Sequence, residues 1–156
     1  MNDNEKRLTI DALNHIMELE LAGVVRYTHY SLMVYGYGRI PIVSWLKDNA
    51  LEGLGHAHKA GEMVTLLGGH PSLKIGPLLE TAQHDIGDIL RESLELERTA
   101  LAAYYNLFKM TEGRSILLEE YAREMIVMEE LHLDEVNKML RRPGDIEPFE
   151  IEPVKV

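Results

Sequence analysis

Apolar residues recur along this chain at intervals of three and four, and they do so in four separate blocks. Between about residues 5 and 35, Leu13, Ile16, Met17, Val24, Tyr27 and Val34 share one helical face. The second block, from about 41 to 67, aligns Trp45, Ala60, Met63 and Leu67; the third, from about 83 to 110, aligns Ile86, Leu90, Leu94, Leu101, Tyr104 and Phe108. A fourth, closing before Pro143-Gly144, aligns Ala122, Met125, Val136 and Met139 or Leu140. Each block stops at turn chemistry. Gly36 to Pro41 breaks the first helix, with Pro41 suited to open the next, and Gly68-Gly69-His70-Pro71 terminates the second. Glu112-Gly113-Arg114-Ser115 separates the last two, with Ser115 as N-cap.

The stretch from Gly68 to about Ala82 contains Pro71, Gly76 and Pro77 and has no helical period. Extended, it reaches about 46 Å, the length of a bundle whose helices are about 40 Å long. The pattern therefore predicts an all-α fold: an antiparallel four-helix bundle over residues 1–142, with a long crossover between helices 2 and 3. A tail over residues 143–156 carries Pro143, Pro148 and Pro153, which argues against a fifth long helix.

Every apolar stripe is interrupted by charge. Glu20 sits in the first, Glu52 and His56 in the second with Asn49 beside them, Glu97 in the third, and Glu129 and His132 in the fourth. Burying such groups costs several kcal/mol unless each finds a partner, and a metal cation satisfies carboxylates and imidazoles together. A depth count tests whether they meet. From the turn near Gly38, Glu20 lies eighteen residues back and Glu52 to His56 fourteen to eighteen forward. From the turn near Gly113, Glu97 lies sixteen back and Glu129 and His132 sixteen and nineteen forward. All six fall at mid-bundle, about 25 Å from the turns.

Composition narrows the chemistry. The formal charge of -10 over 156 residues opposes binding to nucleic acid or an anionic membrane and suits an interior that draws cations. With no cysteine, thiolate zinc sites, iron–sulfur clusters, disulfides and cysteine nucleophiles are excluded, leaving carboxylate and imidazole ligands. No apolar run is long enough to span a membrane and no signal peptide is visible, so the cytoplasm is the expected location. His15, His29, His58, His70 and His84 lie off the charged stripe and read as solvated; Met17, Met63, Met125 and Met139 read as core fillers.

One Glu from each of two helices and a Glu/His pair from each of the other two resembles the di-iron carboxylate bundles of the ferritin-like superfamily. Within it, Leu13-Asn14-x5-Glu20-Leu21-x5-Tyr27 and the run from His56-Ala57 to Gly69-x-Pro71 are similar to bacterioferritin, and the likeness covers residues 8 to 142. The resemblance implies Glu20, Glu97 and the Glu129-x-x-His132 pair as iron ligands and catalytic groups. Glu129 and Glu52 are then candidate bridging carboxylates, His56 a ligand, and Tyr27 a donor to a ligand carboxylate. The second helix departs from the family pattern, whose Glu-x-x-His would place Glu at Gly53; Glu52 stands one residue earlier. Either the helix is overwound or bulged so that Glu52 ligates, which is the preferred reading, or Glu52 partners a ligand and the site is asymmetric.

The usual axial haem methionine aligns with Leu54, so haem or another porphyrin would need a different Met, with Gly53, Gly55 and Gly61 leaving room for it at a dimer interface. The implied function is oxidation of Fe2+ by O2 or H2O2, a ferroxidase activity, with storage or detoxification of iron in a homo-oligomeric shell. The short form without a fifth helix points to a dodecamer. The alternatives are a di-iron or di-manganese oxidase or peroxidase without mineral, and a porphyrin-binding shell with a degenerate metal site.

Overall fold

The computed structural model describes residues 1–149. It contains four helices, α1 (Asp3–Met33), α2 (Arg39–Leu66), α3 (Ile86–Thr111) and α4 (Ile116–Leu140), and no strand among the described residues. The expected bundle is present, with ends shifted by a few residues. α1 starts early because Asn2 and Glu5 form a reciprocal capping box. α2 starts at Arg39, which puts Pro41 inside the first turn where no backbone donor is required. α3 starts three residues later than expected, at the Asp85 cap, whose side chain accepts from the Asp88 amide. Ser115 caps α4 as the sequence indicates.

The connection between α2 and α3 lies along α1 and is stapled to it. Asn14 donates to the His70 carbonyl and accepts from the Ser72 amide; farther up, the Gly76 amide donates to the Glu18 carbonyl at 2.9 Å. A β-carbon at residue 76 would stand 3.0 Å from that carbonyl, so glycine is what lets the backbone approach. At the far end His84 stacks on Tyr35 and bonds through Nδ1 to the Met33 carbonyl. The crossover thus carries the chain back up α1, leaving α3 antiparallel to α1 and α4 antiparallel to α3.

Two apolar layers fill the bundle. One gathers Leu13, Ile16, Val64, Tyr104, Leu118 and Met125; the other, toward the α1–α2 turn, gathers Tyr30, Val34, Leu46 and Ile89, continued by Leu90, Leu94, Leu133 and Val136. Met125 is a core filler as expected, and Met17 and Met63 pack at the edge of the core, but Met139 faces outward. The tail shows no helix over residues 141–149 and folds back on α4, where buried Asn137 exchanges two 2.9 Å hydrogen bonds with the Phe149 backbone. Pro153, counted in the tail, lies outside the described residues.

Candidate metal centre

Between the two apolar layers the charged residues converge. Glu20, Glu97 and Glu129 are buried, as is His56, and His132 is half-buried. Glu20, His56 and Glu129 each direct one ligand atom into a common space, all within 4.8 Å of one another. His56 Nδ1 lies 3.5 Å from Glu20 Oε2 and 3.6 Å from Glu129 Oε1; across the cavity His132 Nε2 lies 3.5 Å from Glu97 Oε1. The space between them, about 30 Å³, is more than one water-sized occupant needs.

Tyrosines fix the two outer carboxylates, and they do so reciprocally. Tyr27, seven residues after Glu20 on α1, donates to Glu97 on α3 at 2.6 Å. Tyr104, seven residues after Glu97 on α3, donates to Glu20 on α1 at 2.9 Å. Bonds of this kind hold a carboxylate oxygen in place and would preorganise it for a cation. Burial and the adjacent carboxylates push both phenols well above their ordinary range, so they remain donors. Trp45 stacks on His132 with ring centroids 5.7 Å apart and planes 9° from parallel, a contact with no signature in the sequence beyond the inward position of Trp45.

The electrostatics test whether a cation fits. Burial raises the Glu129 carboxyl well above its usual range, and neighbouring Glu97, Glu20 and Glu52 push it in the same direction. Glu20 is also raised, burial outweighing the opposing pull of His56 and Tyr104. At His56 burial acts to lower the pKa, but the hydrogen bond to Glu20 and the charges of Glu20, Glu52 and Glu97 together outweigh it and raise the imidazole above its ordinary range. Among the described residues no Lys or Arg pairs with Glu20, Glu97 or Glu129, and the ion-pair partners they have there are the two imidazoles. Glu129 Oε2 and His56 Nε2 are buried without a hydrogen-bond partner. Three carboxylates, two imidazoles and an orphaned carboxylate oxygen are the donor set of a hard or borderline divalent cation, and they fit one.

The structure brings five of the six expected residues inward and places the sixth at the rim. Glu52 has a side chain 49% exposed, with Oε1 3.9 Å from His56 Nε2. α2 runs as an unbroken α-helix through Glu52 and Gly53, with no bulge to rotate Glu52 inward. Gly53 is the residue that faces in; a β-carbon there would meet the Glu20 carbonyl and Val24 Cγ2, each at 3.4 Å, so α1 and α2 approach closely at this level. Tyr104 and Asn49 also line or anchor the cavity, and both could be read from stripe positions. His15, His29, His58, His70 and His84 are all exposed, as expected. Leu54 is exposed on α2 beside a groove lined by Met17, Leu21, Ala57 and Gly61.

The sequence matches the family model of the ferritin-like domain over residues 10–143. A ferritin-like di-iron carboxylate protein from Bacillus anthracis superposes with a TM-score of 0.83 at 20% identity, covering 90% of this chain and 100% of that one. Bacterioferritin from Desulfovibrio desulfuricans, solved with its di-iron site in different catalytic states, gives 0.76 at 24% identity over 90% of this chain and 82% of that one. Rhodobacter capsulatus bacterioferritin, with a metal-free dinuclear site and haem iron, gives 0.78 at 24% identity over 86% and 84%. No curated protein matches the sequence. At these identities the superpositions speak to the fold, and they agree with the four-helix architecture.

Proposed function

This chain belongs to the ferritin-like family, and from that premise we propose that it binds two ferrous ions at the Glu20, His56, Glu97, Glu129 and His132 cluster. We further infer that it oxidises them with O2 or H2O2 and retains the ferric product in a homo-oligomeric shell in the cytoplasm. The observation that carries this is Glu129: a fully enclosed carboxylate on α4, facing ligands from the other three helices, with one oxygen unpartnered. A bound ferrous pair would give up one electron per ion, two in all, to the O2 or H2O2 that is reduced, and would leave open positions for that oxidant. The protein's part is to hold the ligands apart and oriented. Tyr27 and Tyr104 fix Glu97 and Glu20, leaving Glu129 free to reach toward both halves.

One feature supports assembly: large apolar side chains stand exposed on several helices, among them Leu32, Leu51, Ile116 and Leu131. A dodecamer is the assembly we propose, and mass by light scattering checks it. Ferrous titration under air tests the function: many ferric ions retained per chain supports storage, about two with turnover supports an oxidase or peroxidase using iron or manganese, and none leaves a degenerate site. Glu129→Ala and His132→Ala are expected to lose rapid ferrous oxidation; wild-type rates in both would refute the assignment. A porphyrin is a second reading, favoured by Met17 standing in the α1–α2 groove in place of the absent methionine at Leu54. Haem titration of wild type and Met17→Leu, followed by absorbance, tests it.

A further inference from the structure

His56 stands between two carboxylate environments. Its Nδ1 faces Glu20 and Glu129 at 3.5 and 3.6 Å, inside the cluster. Its Nε2 points the other way, is buried and unpartnered, and has Glu52 Oε1 3.9 Å distant. The two ring nitrogens diverge, so a carboxylate at Nε2 is on the wrong side of the ring to reach a cation held at Nδ1. Glu52 also begins from a half-exposed position, with rotamer freedom to close the last ångström onto Nε2–H. Where a fourth inner carboxylate would enter from α2, Gly53 packs against the α1 backbone instead.

We propose that Glu52 acts as a positioning residue, accepting Nε2–H of His56 so that Nδ1 faces the cation, and that the two cation positions are consequently unequal. This rests on the di-metal reading of the cluster. The tighter position is the preformed triad of Glu20, His56 and Glu129. The weaker lies toward Glu97 and His132, where the Tyr27 hydroxyl stands 2.6 Å from Glu97 and 3.4 Å from His132 and must be accommodated. An outer carboxylate on a ligating imidazole fixes its tautomer and raises its basicity; losing one weakens metal binding about 10–100-fold.

The full chain, stripped of metal and titrated with Co2+ by calorimetry and visible absorption, tests this. Wild type is expected to take two ions per chain in two resolved steps. Glu52→Ala should weaken the tighter step by about 10–100-fold while still binding two ions. Glu52→Gln should recover most of that loss, because an amide oxygen accepts Nε2–H but ligates poorly. Nitrogen chemical shifts of His56 should show the Nε2–H tautomer depleted in Glu52→Ala and restored in Glu52→Gln. On a His56→Ala background, Glu52→Ala should add nothing further. Loss of one ion in Glu52→Ala, or a Gln variant as weak as Ala, would make Glu52 a direct ligand and overturn the proposal. Unchanged binding and tautomer would deny it any role. Failure of wild type to bind Co2+ at all would instead remove the di-metal reading beneath it.

Discussion

The α3–α4 hairpin contributes Glu97, Glu129 and His132 to the cluster, whereas the α1–α2 hairpin contributes Glu20 and His56 and has Gly53 at the level where a second Glu/His pair would begin. The outer carboxylates are treated alike: each is buried, and each accepts from a tyrosine on the opposite hairpin. The difference is confined to the centre of the cavity. There α4 sends in an enclosed carboxylate, while α2 sends in an imidazole and lets its backbone close on α1. One half presents an enclosed carboxylate with an unpartnered oxygen; the other presents an imidazole set between Glu20 and Glu129 on one side and Glu52 on the other.

The largest expected effect comes from removing the shared group. Glu129 faces both halves, so Glu129→Ala should lose both cobalt steps, whereas His56→Ala should lose only the tighter one; equal losses would erase the distinction between the halves. The same residue sets a pH dependence. Its carboxyl is raised in the folded state, so in the metal-free protein the unfolded chain releases this proton at lower pH than the folded one. Its contribution is intact below the unfolded pKa and is lost as pH rises toward the folded value. Glu20 and His56, also raised, act in the same direction in their own windows. Denaturation of metal-free protein across acid to neutral pH should show stability falling with pH, and Glu129→Gln should flatten that slope. Saturating Co2+ should reverse that slope if the cluster takes the ion, because a cation binds deprotonated ligands.

Next in size is the tyrosine pair. Tyr27→Phe and Tyr104→Phe each leave a buried carboxylate short of a donor, and each should cost about 1–3 kcal/mol in urea denaturation of the metal-free protein. Similar costs are expected, since the two bonds are related by the internal symmetry of the hairpins; a large difference would mean that the asymmetry extends beyond α2. The smallest effects belong to the glycines of α2. Gly55 has nothing within 4 Å of its β-carbon position, so Gly55→Ala should stabilise by about 1 kcal/mol through helix propensity alone. Gly53→Ala should gain less, because its β-carbon would press against the Glu20 carbonyl and Val24. Thermal melts of the two variants compare them directly.

The helical period showed the four helices and their turns because each stripe is apolar enough to be read without neighbours. The depth of the six charged residues was legible for the same reason: rise per residue converts position into height, and Glu20, Glu97 and Glu129 do meet at one level. What spacing did not give is rotation about a helix to within a single residue. Positions 52 and 53 differ by about 100°, and whether Glu52 or Gly53 faces inward depends on how closely α1 and α2 pack, which depends in turn on the missing β-carbon. Asn137, likewise, lies on α4 with no pattern to announce that it would bury itself against the returning tail at Phe149. The Tyr104 bond to Glu20 was foreshadowed by its seven-residue offset from Glu97, the same offset that links Tyr27 to Glu20.

The chain has one tryptophan, and it lies flat against His132. Any open-shell ion drawn to that ring arrives near the only indole present, so its arrival should dim the ultraviolet emission of the protein without any added label. A closed-shell zinc ion at the same place would shift that emission rather than extinguish it. Filling of the cluster can therefore be followed optically, in real time, through a reporter the chain already carries.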